Sequence, residues 1–419
     1  MSTSINFSYC ITIDIYYVYI VFLVSYIHLW FIFFMGLILL FIIFLLTRRI
    51  ASYEKYFLIL STYIFIYLAV VLIILSDDFI IFMILFESLF FPICFVSLFF
   101  NFNNRFIFAI FYLIIFSSIS SVLCVLICVL VIAHFNVLSL YLFTDLCLLD
   151  SLTTIIFLWV CLFVMFAIKY PIWPFHVWLP EMHVEVNTEM SILLASIVLK
   201  IGFFGVYKFL FLNALQVSIW FLGFIDSIIV LGLTFLSILL LFIPDYKKIV
   251  ANWSVIHTGI ALILLWHNDL LFIGLVFLCN ISHILSSSFI FLVIGYMYDN
   301  YGVRVFLLIV SFFGLSIWSL MFLSIFLYNI DFPFMLLFYV DIFVFYGLIS
   351  LSCIYIICFY IVVLSVFVSS IYIYICLSFY SFIWLDKYLR LDLSINDVYL
   401  FFITAGMTLS FFYIFYIIF

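Results

Sequence analysis

Charge is what this sequence has least of. Asp, Glu, Lys and Arg make up 7% of its 419 residues, hydrophobic residues make up 71%, and the mean hydropathy is +1.56. That balance excludes a soluble globular protein of this size. Cysteine is scattered: the ten residues form no C-x-x-C pair, and Cys124 and Cys128, one helical turn apart, come closest. Neither a disulfide framework nor a metal site is expected. A Gly-rich phosphate loop, a haem-ligating His pair and a nucleophile elbow are all missing, which argues against cofactor chemistry in this chain. The net charge of −7 is spread over short loops and single positions, so no nucleic-acid surface is expected. No basic leader with a small-residue cleavage site opens the chain, and no removable signal is expected.

What is present is a succession of long apolar runs, at about 17–46, 55–76, 79–101, 105–134, 152–179, 188–212, 216–243, 247–266, 269–297, 305–345, 347–384 and 397–419. A core-spanning helix needs about 20 such residues. The alternation that marks barrel strands is absent. The fold expected is all-α, a polytopic membrane protein of about 12–14 transmembrane helices. The excess of Phe (60) and Tyr (29) suggests a biased coding genome of the organellar kind.

Proline is nearly absent, with six residues in all, so each one marks a place where helical hydrogen bonding is interrupted. Two such places combine with a nearby charge: Lys169 before Pro171 and Pro174, and Asp341 shortly after Pro333. Irregular backbone at membrane depth survives only where protein or a watery cavity surrounds it, so these segments are expected to line a polar path. The spacing from Glu87 to Lys169 nearly equals that from His257 to Asp341. With the two breaks, this favours an internal duplication, with repeats at 55–212 and 213–384, an N-terminal transmembrane segment or segments at 1–54 and a C-terminal helix at 385–419.

The ionisable residues deep in apolar runs are Glu87, Lys169, Lys200, Asp226, His257, His283 and Asp341. A lone charge at the bilayer centre costs about 2.5–3.5 kcal/mol on insertion scales, so each needs a reason to persist. Glu87 is expected to pair with Lys169. At about 6 Å and an effective dielectric of about 20, the two attract by roughly 2.8 kcal/mol, and separating them would release the proton of Lys169. Lys200 is read as the next relay site, with Lys208, nearer the boundary, as a snorkelling side chain. His257 and His283 lie among hydroxyl residues that can hold water and are read as a proton relay. Asp341 is the acidic end of the path. Asp226 stays undecided between structural and functional roles, and His28, His134 and His267 are taken as structural.

Several motifs run in a fixed order. They are Phe86-Glu87-Ser88 with Pro92; Lys169-Tyr-Pro-Ile-Trp-Pro-Phe-His-Val-Trp-Leu-Pro with His183-Val-Glu185; Leu199-Lys200-Ile-Gly202; Asp245-Tyr-Lys-Lys through Trp253 to His257; and Ile281-Ser-His283 through Phe289, with Gly295, Tyr298 and Arg304. This ordered set, over roughly residues 55–350, resembles the antiporter-like membrane subunits of NADH:ubiquinone oxidoreductase, respiratory complex I, most closely the subunit 4 class. Departures from the family pattern are Asp341 for a glutamate, Val186-Asn187 for Ala-Pro and Trp253 for a serine. Glu87 also comes early, so one or two N-terminal helices of the fourteen-helix pattern are expected to be missing or very short.

The resemblance implies two inverted five-helix repeats with broken helices. It also implies a proton-translocating subunit of the mitochondrial inner membrane, set among the antiporter-like subunits 2 and 5 and membrane lipids. Flavin and iron-sulfur clusters would reside in partner subunits, and NADH oxidation by ubiquinone would occur there. Moving one charge costs about 2.3 kcal/mol per 100 mV, so roughly 3.5–4.6 kcal/mol at about 150–200 mV. That exceeds the expected Glu87–Lys169 attraction, and a further drive from neighbouring subunits is expected. The alternative is a subunit of a multisubunit sodium/proton antiporter; a third reading is a structural spacer that has lost pumping.

Overall fold

The computed structural model describes residues 9–15, 18–24, 26–49, 53–100, 104–135, 152–213, 215–266, 270–302, 304–305, 336–349 and 353–379. The chain divides into two compact units, residues 1–228 and 229–419. Among the described residues, nine helices are long and apolar enough to cross a membrane, so the protein is multi-pass and all-α in architecture.

Among the described residues, the strands lie at the N-terminal end. β1 (Tyr9–Ile15) and β2 (Val18–Val24) pair antiparallel, from Tyr9 opposite Val24 to Ile15 opposite Val18. The apolar run expected as helix from about residue 17 therefore begins as a strand, and α1 starts at Tyr26. In β1, Tyr9, Ile11, Ile13 and Ile15 alternate with Cys10, Thr12 and Asp14, and β2 is rich in Val and Ile, which suit a pleated ribbon.

The first unit continues with α1 (Tyr26–Arg49), α2 (Tyr53–Leu75), α3 (Phe79–Ser88), α4 (Phe90–Phe100), α5 (Asn104–Phe135), α6 (Leu152–Lys169), α7 (Trp178–Glu185), α8 (Thr188–Leu193) and α9 (Leu199–Gly205). π-helical turns at Leu194–Val198 and Val206–Asn213 flank α9. The inner helices pack closely: α5 lies on α6 and α7, α2 on α3, α4 and α9, and α6 on α9. α5 shows how an apolar helix is sorted. Phe108, Phe111, Ile115, Val122, Val125 and Val129 are exposed, as suits a lipid-facing stripe, whereas Ala109, Leu113, Ser117, Ser120 and Cys124 are buried. Both faces are largely apolar; Ser117 and Ser120 lie on the protein side, whereas Ser118 is exposed.

α10 (Leu215–Leu240) crosses from the first unit to the second. The second unit then has α11 (Tyr246–Trp266), α12 (Leu270–Tyr301), α13 (Leu336–Ile349) and α14 (Cys353–Phe379). α11 packs on α12 and α13, and α13 on α12 and α14. Asp245 caps α11, accepting from the backbone N–H of Lys247 at 3.0 Å and of Lys248 at 3.4 Å. Trp253, at a position where a smaller side chain was expected, is buried and donates from Nε1 to Ser369 Oγ on α14 at 3.2 Å.

Burial singles out three spans. Buried residues make up 89% of the Thr188–Phe211 window, 100% of Tyr246–Trp266 and 83% of Ile273–Asp299, against 44% or less in the others. These three carry Lys200, His257 and His283.

Candidate functional site

Glu87 and Lys169 meet. Lys169 Nζ lies 3.4 Å from Glu87 Oε2, Ser120 Oγ donates to Glu87 Oε1 at 2.8 Å, and the ammonium sits 5.3 Å from the centroid of the Phe86 ring. Both side chains are mostly buried, at 17% and 18% exposure. At 3.4 Å and an effective dielectric of about 20, the attraction is about 5 kcal/mol, larger than at the separation expected from sequence.

Prolines place both groups at helix ends. Pro92 has no N–H for the carbonyl of Ser88, so α3 stops there and α4 begins at Phe90. Glu87 is thereby in the last turn of α3, where a negative charge opposes the helix dipole and requires the ammonium and hydroxyl it meets. Pro171 likewise cannot bond Ala167. α6 closes with Tyr170 N–H donating to Phe166 O at 2.7 Å, Ile172 N–H takes Ala167 O at 3.0 Å, and Trp178 Nε1 reaches back to Ile168 O at 2.9 Å. All three carbonyls around the break are satisfied, so it persists without exposed backbone. The Trp173–Pro174 bond within it is cis. Lys169 ends α6, where a cation suits the dipole.

Lys200 is buried, at 1% exposure, on the short helix between the two π-helical turns. Such turns recur at functional sites because they free backbone from the regular ladder. Gly202 brings α9 onto the break: a Cβ there would lie 2.6 Å from Tyr170 N and 2.9 Å from its Cα. Gly205 does the same against the Phe166 ring. A cavity of about 40 Å³ adjoins Lys169, with Phe86, Ser117, Trp178, Leu194 and Val198 in its wall. That is room for water beside the ammonium, toward the turn that precedes Lys200.

In the second unit, His257 and His283 face one another, ring centroids 5.7 Å apart and planes at 59°. Both are buried. The hydroxyls around them are turned to their own helices: Ser254, Thr258, Ser282 and Ser288 donate to carbonyls three residues back at 2.6–2.8 Å. Asp341 is half-buried on α13, which packs on both histidine-bearing helices. Pro333 lies outside the described residues.

Lys208 does not snorkel. It is 3% exposed, donates from Nζ to Ile74 O and Ser76 O at 2.7 Å each, and lies 4.0 Å from Asp77 Oδ1. The carbonyls that end α2 offer a better site for the ammonium than a bilayer boundary. Asp226 is 1% exposed on α10, and neither oxygen has a hydrogen-bond partner among the described residues. Ser120 was not singled out from the sequence, although Phe116-Ser-Ser-Ile-Ser-Ser121 is the polar interruption of α5 that signals it. His28 is buried beside Phe204, with ring centroids 5.7 Å apart, consistent with a packing role.

A family profile described as NADH:quinone oxidoreductase/Mrp antiporter, TM, matches residues 76–368. NADH-ubiquinone oxidoreductase chain 4 of Chondrus crispus is 35% identical over 232 residues, which is 54% of this chain and 46% of that one. The chain spans about half the length of the curated relatives it matches. Among solved structures, a chain of respiratory complex I from Thermus thermophilus with bound NADH superposes with a TM-score of 0.77 at 15% identity, over 96% of this chain and 84% of that one. A chain of the Mrp complex from Dietzia sp. gives 0.78 at 14% identity, over 88% and 70%.

Proposed function

The chain belongs to the NADH:quinone oxidoreductase/Mrp antiporter membrane family, and from that premise we propose that it is a proton-translocating membrane-arm subunit of an NADH:ubiquinone oxidoreductase. The observation that carries this is the Glu87–Lys169 contact, an acid and a base joined at 3.4 Å where two proline-made helix ends meet. About 5 kcal/mol of attraction at that distance is comparable to the roughly 4.6 kcal/mol needed to move a charge against about 200 mV. Opening the pair therefore releases a proton from Lys169 at a useful potential, and closing it holds one. Opening still needs a drive from outside the pair, assigned here to neighbouring subunits.

The path runs from Glu87 and Lys169 to Lys200, then to His257, His283 and Asp341. Burial of the helices carrying Lys200 and the histidines, the facing imidazoles and the cavity beside Lys169 support these residues as polar sites within each unit. We also propose that the chain holds two inverted repeats with broken helices, at 55–212 and 213–384; the two compact units divide at 228/229, within α10. In the assembly, antiporter-like subunits 2 and 5 are the proposed neighbours, flavin and iron-sulfur clusters belong to other subunits, and the membrane is the mitochondrial inner membrane. The identity of 35% to NADH-ubiquinone oxidoreductase chain 4 of Chondrus crispus favours this over the antiporter reading, which the fold alone accommodates equally. Purification of the native assembly tests the choice. Flavin and iron-sulfur subunits are expected to co-purify; an assembly without them that exchanges sodium for protons would overturn it.

A further inference from the structure

The short helix α3 has an acid–base pair at each end. Glu87 in its last turn meets Lys169, and Asp77, just before its first residue, meets Lys208. At 1.5 Å per residue, its ten residues separate the two ends by about 15 Å. Between the pairs runs a file of phenyl rings. Phe209, next to Lys208, contacts Phe79 and Phe82 at 5.0 and 4.8 Å between centroids and stacks on Phe166 at 5.9 Å. Phe166 in turn meets Phe86 at 5.7 Å, and Phe86 lies under the Lys169 ammonium at 5.3 Å. Phe79, Phe82 and Phe86 are one face of α3; Phe209 touches the first two directly and reaches Phe86 through Phe166.

Lys208 directly precedes Phe209 in the chain and is itself firmly held. Its ammonium is tied to two carbonyls and faced by a carboxylate, all buried, on a π-helical turn continuous with the helix that carries Lys200. Close-packed aromatic contacts transmit a displacement rather than absorb it. We infer that Lys208 and Asp77 are positioning residues that set the separation of Glu87 and Lys169 through the Phe209–Phe166–Phe86 file.

The inference rests on the proposed proton path for its functional consequence, while its geometric part stands apart from it. Intact assemblies carrying Lys208→Met, Lys208→Arg and Asp77→Asn would be compared with wild type by the Glu87–Lys169 separation in high-resolution maps and by protons moved per electron. Lys208→Met is expected to open the separation beyond 4.0 Å and lower proton yield by about two-fold or more. Lys208→Arg, which keeps the charge and donors, is expected to restore both, as a purely space-filling role would not. Asp77→Asn leaves both carbonyl bonds in place and serves if Lys208→Met does not assemble; it is expected to shift both quantities in the same direction by less.

An unchanged separation and yield in Asp77→Asn and, where it assembles, Lys208→Met would overturn the inference. So would loss in Lys208→Arg equal to that in Lys208→Met. Lys169→Ala in the same assembly keeps the two ideas apart: normal pumping there refutes the proton path, whereas lost pumping there with unchanged Lys208 and Asp77 variants refutes only the positioning role.

Discussion

Glu87 and Lys169, 82 residues apart in sequence, stand 3.4 Å apart across α3 and α6, and Ser120 on α5 donates to the carboxylate oxygen that the lysine leaves free. Three helices thus converge on one carboxylate.

Ser120→Ala removes one bond from that carboxylate and leaves the charges intact. A hydrogen bond to a charged acceptor is worth about 1.5–3 kcal/mol, so proton transfer through the pair is expected to slow by roughly ten- to a hundred-fold. Proton flux in reconstituted vesicles at fixed NADH oxidation measures it, and wild-type flux would show that Ser120 is incidental.

Gly202→Ala and Gly223→Ala should behave oppositely. A Cβ on Gly202 meets the backbone of Tyr170, which cannot turn aside, while one on Gly223 meets nothing within 4 Å. The first is expected to destabilise by about 1–3 kcal/mol and the second to stabilise by up to about 1 kcal/mol. Thermal unfolding of the two purified variants decides.

Asp77, outside the spans, is pushed up from 3.8 to about 6, chiefly by burial; Lys208 draws it down and Asp78 pushes it up. The folded chain thus holds this proton more tightly than the unfolded chain. Its contribution to stability is present at low pH, falls as pH rises from 3.8 to about 6 and is flat above. Subtracting the melting profile of Asp77→Asn from that of wild type should isolate this slope; a difference that rises with pH over the window would contradict it.

Asp226→Leu replaces a buried carboxyl that has no donor among the described residues by an apolar group of similar size. A gain of about 1–3 kcal/mol in stability is expected from thermal unfolding. Destabilisation instead would mean that the carboxyl is satisfied in the membrane assembly.

The helical architecture and the Glu87–Lys169 pair were legible because depth in apolar runs leaves each charge few opposite partners. Lys208 was misjudged because its partners are main-chain carbonyls of Ile74 and Ser76, over 100 residues earlier, which no side-chain pattern announces. The break after Ser88 follows from Pro92, yet a proline within the first turn of a new helix reads as part of a continuous apolar run. The N-terminal hairpin was missed for a related reason: a short β-branched apolar run does not distinguish strand from buried helix. The approach of α9 to the break depends on the missing Cβ of Gly202, which becomes visible only once Tyr170 lies against it.

Protons translocated per electron, measured in reconstituted assemblies carrying Lys169→Ala at matched rates of NADH oxidation, bears on all of this at once. A fall below the wild-type ratio, with Glu87→Gln reproducing it, is the expected result. A ratio equal to wild type in both variants would contradict the assignment of proton transfer to this pair.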